Sequence, residues 1–228
     1  MWTKGRLNVV LNDLRSKALR VSCMSMLGIH SQDNKVPVIG TVIGTMHPDQ
    51  MAKRARELLA IGFSTLKIKV GKDISSNFEG ASCVREAVSN SVSIRVDTID
   101  HYSPEEAIKF INKIERLNIE HVEQPISRYV ILGMSEGKRS VRVPLVTDDM
   151  VSTPFDARTL IRLNAADRVK VKVTKHGLDG AIQKISMLSA VGKRAVLGHV
   201  FERGLAAVAE AHFAILFPNI WSKRNWIN

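Results

Sequence analysis

Ionisable residues recur once per βα unit along this chain, each at or near the end of a β-rich run. Lys69, Asp97, Glu123, Asp148, Lys172 and His199 follow one another at intervals of 28, 26, 25, 24 and 27 residues. The runs that they close span 63–70, 93–98, 120–125, 143–148, 168–173 and 194–200, and a seventh run covers 35–42. Helix-compatible stretches lie between them at 48–61, 75–89, 103–117, 153–163, 178–191 and 203–216. The third begins with Ser103, Pro104, Glu105 and Glu106, which supplies an N-cap, a proline at the first helical position and acids in the first turn. Such alternation predicts a parallel α/β fold. A doubly wound sheet collects its ligands at one switch point, whereas a (β/α) barrel gathers side chains from several strand ends. The recurring strand-end residues, with no Gly-rich dinucleotide or phosphate-loop fingerprint, favour a (β/α) TIM-type barrel.

Composition narrows the classes. A chain of 228 residues can build one sizeable core. No apolar run reaches the roughly 18–20 residues that span a bilayer, and the first residues carry no secretory pattern. Cys23 and Cys83 are far apart and outside any metal-ligand spacing, which reads as reduced thiols in a cytoplasmic protein. The net charge of +11 raises the question of nucleic acid. The basic excess is spread along the chain, however, and aromatics make up only 5%. No nucleic-acid partner and no membrane association is expected.

Three carboxylates, Asp97, Glu123 and Asp148, end three successive strands. Converging at a barrel mouth, they would repel one another unless a cation lay between them. An all-oxygen donor set suits a hard divalent ion, Mg²⁺ first and Mn²⁺ as the substitute. A single strand-end carboxylate is more commonly a cap or an ion-pair partner; three at this spacing shift the balance. Lys67 and Lys69, two apart in a strand, share one side. Two adjacent ammonium groups are costly, and relief comes from a depressed pKa in one of them, as a general base requires. Lys172 closes another strand, with Lys170 on the same alternation and Lys175 read as a loop lysine. A lysine on each side of a metal-bound carboxylate substrate suits abstraction of the proton α to that carboxylate, with stabilisation of the enolate.

The segments FSTLKIKVG, IRVDTID, IEHVEQPI, VPLVTDDM and ADRVKVKVTKHG, in this order and spacing, resemble the muconate-lactonizing-enzyme branch of the enolase superfamily. Upstream, VVLNDLRSKALRVSCMSMLG is similar to the helix leading into that branch's barrel. Downstream, LGHVFERGLAAVAEAHFAILFPNI is similar to its seventh strand and following helix. The resemblance covers roughly residues 7–220. It implies an isomerase or lyase of the racemase, epimerase or cycloisomerase type, with Asp97, Glu123 and Asp148 as Mg²⁺ ligands. It implies Lys69 and Lys172 as the acid/base pair, and Lys67 as a contact to the substrate carboxylate that lowers the pKa of Lys69. Asp149 matches the second acid of the family's DE pair, expected to hydrogen-bond a neighbouring lysine. His199 and Glu202 fall at substrate-pocket positions.

The chain also departs from that pattern. Ile99 stands where family members carry an asparagine two residues after the first ligand. The family's N-terminal α+β capping domain, which sets specificity, has no counterpart here, and WSKRNWIN is unlike an eighth strand. On this reading residues 1–33 are a lead-in helix with a remnant of the junction to the capping domain, 34–217 an incomplete barrel, and 218–228 a divergent tail. A homo-oligomer would cover the open edge. The competing reading is a catalytically silent remnant, truncated at both ends, that keeps the fold and binds a metal.

Overall fold

A computed structural model describes residues 2–27, 42–198 and 204–217 of the chain. Its strands are β1 (Val42–Ile43), β2 (Thr65–Lys69), β3 (Ser93–Asp97), β4 (Ile119–Glu123), β5 (Leu145–Thr147), β6 (Arg168–Val171) and β7 (Arg194–Leu197). Its helices are α1 (Trp2–Ala18), α2 (Cys23–Met26), α3 (Pro48–Ala60), α4 (Ile74–Ala87), α5 (Pro104–Ile114), α6 (Ile131–Ser140), α7 (Pro154–Leu163), α8 (Val173–Ala190) and α9 (Leu205–Leu216). Strand order is sequential from β1 to β7, and the pairs from β1 to β5 are parallel. A helix after each strand and sequential parallel order are the winding of a (β/α) barrel. The α/β class expected from the alternation is therefore what forms. None of the described helices is long and apolar enough to cross a membrane.

The described residues fall into two compact units, one holding 42–168 and the other 2–27, 169–198 and 204–217. In the first unit, the strands bury both faces, as parallel strands do. Leu66, Ile68, Ile94, Val96, Val122, Leu145 and Val146 are all fully buried. Phe110, Ile111 and Ile114 of α5 join this core from one apolar helix face. The start of α5 is set as its sequence dictates. Ser103 accepts from the Glu106 amide, Glu106 accepts from the Ser103 amide, and Pro104 fills the first turn. Thr153 and Asp156 make the same reciprocal pair at α7. After α5 the 3₁₀ turn Glu115–Leu117 ends on Asn118 at φ 51°, and α7 ends on Asn164 at φ 49°. Asparagine tolerates this left-handed geometry.

Ile99 also adopts it, at φ 50°, beside Asp100 at φ 53°. A β-branched residue there is strained by about 1–2 kcal/mol. The turn is held by the Ile99 amide donating to Asp97 Oδ1 at 3.1 Å. The asparagine expected at this position would suit the backbone better, so the departure at Ile99 is conformational as well as chemical.

In the second unit, α1 packs on α8 through small and polar residues. A side chain at Gly5 would strike the Thr174 carbonyl, so glycine sets the approach of the two helices. Gly177, at φ 74°, breaks α8 after its first turn. Asn8 Oδ1 accepts from the Leu178 amide at 2.8 Å, capping the main helical run from a neighbouring helix. The sequence placed the helix start at residue 178 and Lys175 in a loop. Lys175 instead lies in the short first turn and is buried.

Candidate active site

Strand register gathers the strand-end residues of the first unit into rows. Lys69 pairs with Asp97, and Asp97 with Glu123, across β2, β3 and β4. Neighbouring strands lie about 4.8 Å apart, and paired residues of parallel strands share a face. Glu123 pairs with Val146, and Asp148 directly follows the end of β5 at Thr147. One step down, the second row is Lys67, Arg95 and His121. A cavity of about 320 Å³ opens beside Lys69, lined also by Thr45, Met46, His47, Met51 and Val70.

The long side chain of Lys67 bridges the two rows. Its ammonium donates to Glu123 Oε1 at 3.0 Å and Oε2 at 2.9 Å, and lies 2.7 Å from Asp97 Oδ2. Lys67, Asp97 and Glu123 are 7%, 7% and 3% exposed. Burial alone would lower the Lys67 pKa, but Glu123 and Asp97 hold it well above the ordinary lysine value. Lys67 is therefore a fixed positive charge, and the relief expected for a lysine pair does not come through its deprotonation.

Asp97 and Glu123 thus converge on one cation with hard oxygen donors, in a buried place. That chemistry fits a divalent ion. The cation that they hold here is the Lys67 ammonium, and among the described residues no three His, Cys, Asp or Glu side chains are gathered into a metal-binding group. Asp148 is fixed through its backbone, its amide donating to Gln124 Oε1 at 2.8 Å. Asp149 pairs with Arg128 at 3.1 Å.

Beneath the mouth lies a charged layer that the sequence reading missed. Glu120 accepts from Arg95 Nε at 3.0 Å and from Arg168 Nη1 at 3.2 Å, and also from Ser93. Burial works to raise the Glu120 pKa, yet Arg95 beside it holds the carboxyl below its usual range. Arg168 also lies 3.3 Å from His121 Nδ1. Burial, with Arg95 nearby, pushes the His121 pKa down to about 3. The signal was available: Lys67, Arg95 and His121 each stand two residues before a strand-end residue, and so on the same face.

The His121 shift has a stability consequence. A depressed folded pKa means that the unfolded chain binds the extra proton between pH 6.5, the unshifted value, and about 3. Stability present above pH 6.5 is lost as pH falls through that window, by up to about 1.4 kcal/mol per pH unit. Urea melts of the parent and of His121→Gln across pH 4–7 should show the shallower slope in the variant. Equal slopes would remove His121 as the cause.

In the second unit, Lys172 follows β6 directly and is 8% exposed. Its ammonium lies 5.8 Å from the Trp2 ring centroid, and that of Lys175 lies 5.9 Å away, both within cation–π range. Lys170 is also buried, its stem passing over Gly198 where any larger residue would collide. His176 Nδ1 bonds the Lys172 carbonyl at 2.8 Å, and Lys184 Nζ lies 2.8 Å from His176 Nε2. His199 and Glu202 lie outside the described residues.

Residues 50–227 match the family described as enolase C-terminal domain-like. The chain belongs to that family. Within the enolase superfamily it falls in the mandelate racemase/muconate-lactonizing branch. It superposes on a mandelate racemase/muconate lactonizing family protein from Azoarcus sp. EbN1 with a TM-score of 0.87 at 25% identity, over 93% of this chain and 56% of that one. A D-Ala-D/L-Ala epimerase of Cytophaga hutchinsonii is 28% identical over 218 residues, which is 95% of this chain and 59% of the relative. The crystal structure of the dipeptide epimerase from Cytophaga hutchinsonii, complexed with Mg and D-Ala-L-Val, gives a TM-score of 0.87 at 27% identity. That match covers 93% of this chain and 58% of the other. This enolase-family chain thus spans about three fifths of the length of such relatives.

Proposed function

We propose that the chain catalyses a racemase/epimerase-type reaction: Mg²⁺-dependent abstraction of the proton α to a carboxylate, with stabilisation of the resulting enolate. The observation that carries this reading is the row Lys69–Asp97–Glu123, with two buried carboxylates drawn onto one cation. The epimerase relatives support it and point to a dipeptide as the substrate class.

In this reading Asp97, Glu123 and Asp148 hold the divalent ion, with Mn²⁺ able to substitute. When bound, that ion supplies Lewis-acid stabilisation of the charge on the carboxylate oxygens. Lys67, held protonated, adds a fixed positive charge for the substrate carboxylate. Lys69 and Lys172 would serve as the acid/base pair, one taking the α-proton at Nζ and the other returning a proton. In this reading Asp149, His199 and Glu202 would serve substrate binding. Cys23 and Cys83, both free thiols, support a cytoplasmic setting.

The test is exchange of the α-proton with solvent. A panel of dipeptides in D₂O, followed by NMR, should incorporate deuterium at one α-carbon in the presence of Mg²⁺ and stop with EDTA. Mg²⁺ should also raise the melting temperature. Metal binding with no exchange across the panel would replace this reading by the silent, metal-binding remnant.

A further inference from the structure

The loops that follow β3, β4 and β5 are tied together by two residues of the middle loop. Gln124 sits one residue past Glu123, at φ 43°. Its Oε1 accepts from the Asp148 amide at 2.8 Å and from the Met150 amide at 3.4 Å, and its Nε2 donates to the Ile126 carbonyl at 2.8 Å. Its own carbonyl accepts from the Asp100 amide at 2.9 Å and from Thr98 Oγ1 at 2.8 Å. Four residues on, Arg128 spans the same three loops by charge. Its Nε donates to Asp100 Oδ2 at 3.2 Å, and its Nη1 lies 3.1 Å from Asp149 Oδ2.

Each bond falls within three residues of one of the strand-end carboxylates. Gln124 holds the backbone of Asp148 and of the turn after Asp97. Arg128 holds the side chains of Asp100 and Asp149. We propose that Gln124 and Arg128 form a clamp across the three loops that sets the spacing of Asp97, Glu123 and Asp148 for a divalent cation. Both are positioning residues and neither ligates. The proposal rests on the reading that these three carboxylates bind the ion.

The contribution of Arg128 can be separated from that of its charge by sign. A guanidinium near a cation site repels the cation, so removing it as a mere neighbour would tighten metal binding. Removing a clamp that spaces the ligands loosens it, as loss of supporting residues around metal sites does, by about 10-fold or more. Arg128→Lys keeps the charge and loses the two-armed reach of the guanidinium. Arg128→Gln loses both.

Mn²⁺ binding, followed by the EPR signal of the free ion, is the readout, with amide hydrogen exchange of 98–100 and 148–150 beside it. Both variants should bind Mn²⁺ about 10-fold more weakly than the parent, and exchange in both segments should quicken. Because Arg128 is 41% exposed on its side chain, the melting temperature should move by no more than roughly 2–4 °C. Unchanged affinity in Arg128→Lys, or tighter binding in Arg128→Gln, overturns the clamp and leaves the metal reading standing. A parent chain that binds no Mn²⁺ overturns both.

Discussion

Replacing Lys67 by methionine is expected to destabilise the chain by about 3–5 kcal/mol at pH 7, the cost of stranding buried charge by deleting one ion-pair partner. Methionine keeps most of the volume, so the loss is electrostatic rather than a cavity. Asp97 and Glu123 would then lie side by side, 7% and 3% exposed, without the ammonium that bridges them. Acid neutralises stranded carboxylates, so the deficit of the variant should shrink as pH falls. Glu123→Gln added to Lys67→Met should recover part of the loss, since it removes one of the stranded charges. Urea melts of the parent, the single variants and the double variant measure all of this. A Lys67→Met change within about 1 kcal/mol would mean that the ammonium does not organise the pair.

Lys69→Ala and Lys172→Ala carry the largest kinetic effect. A positioned general acid or base typically contributes about 10²–10⁴ in rate. If the two lysines serve opposite faces of the α-carbon, each variant should lose exchange with one epimer by about that factor while still exchanging the other. Epimerisation itself, which needs both, should fall in both variants. Deuterium uptake measured separately for each epimer gives the pattern. Equal loss with both epimers in both variants would mean one base with a supporting lysine. No loss in either would remove the lysines from the chemistry.

The parts of this molecule that local sequence determines could be read in advance. The Ser103–Pro104–Glu106 start of α5 depends only on contiguous residues, and it forms as expected. The alternation that gives the strands and their order is likewise local. Helix α6 was not anticipated, because Gly133 and Gly137 weaken its propensity and Val130 supplies no side-chain cap. The early turn of α8 escaped for a different reason. Its break at Gly177 is secured by Asn8, 170 residues away in sequence from the Leu178 amide that it caps. Spacing alone could place Lys69, Asp97 and Glu123 on successive strand ends. It could not show that Lys67 reaches over to both carboxylates, or that Gln124 and Arg128 tie the loops. Those contacts depend on strand register and on side-chain reach between elements far apart in sequence.

The charged layer of Arg95, Glu120 and Arg168 beneath the mouth shapes how this chain can change over generations. Glu120 is the shared partner: losing it leaves two half-buried guanidiniums without the carboxylate between them, whereas losing either arginine leaves the other still paired with it. In a chain with only a few kcal/mol to spare, the carboxylate is therefore the costly member to lose and each arginine the cheaper one. Drifting descendants should lose an arginine before they lose Glu120.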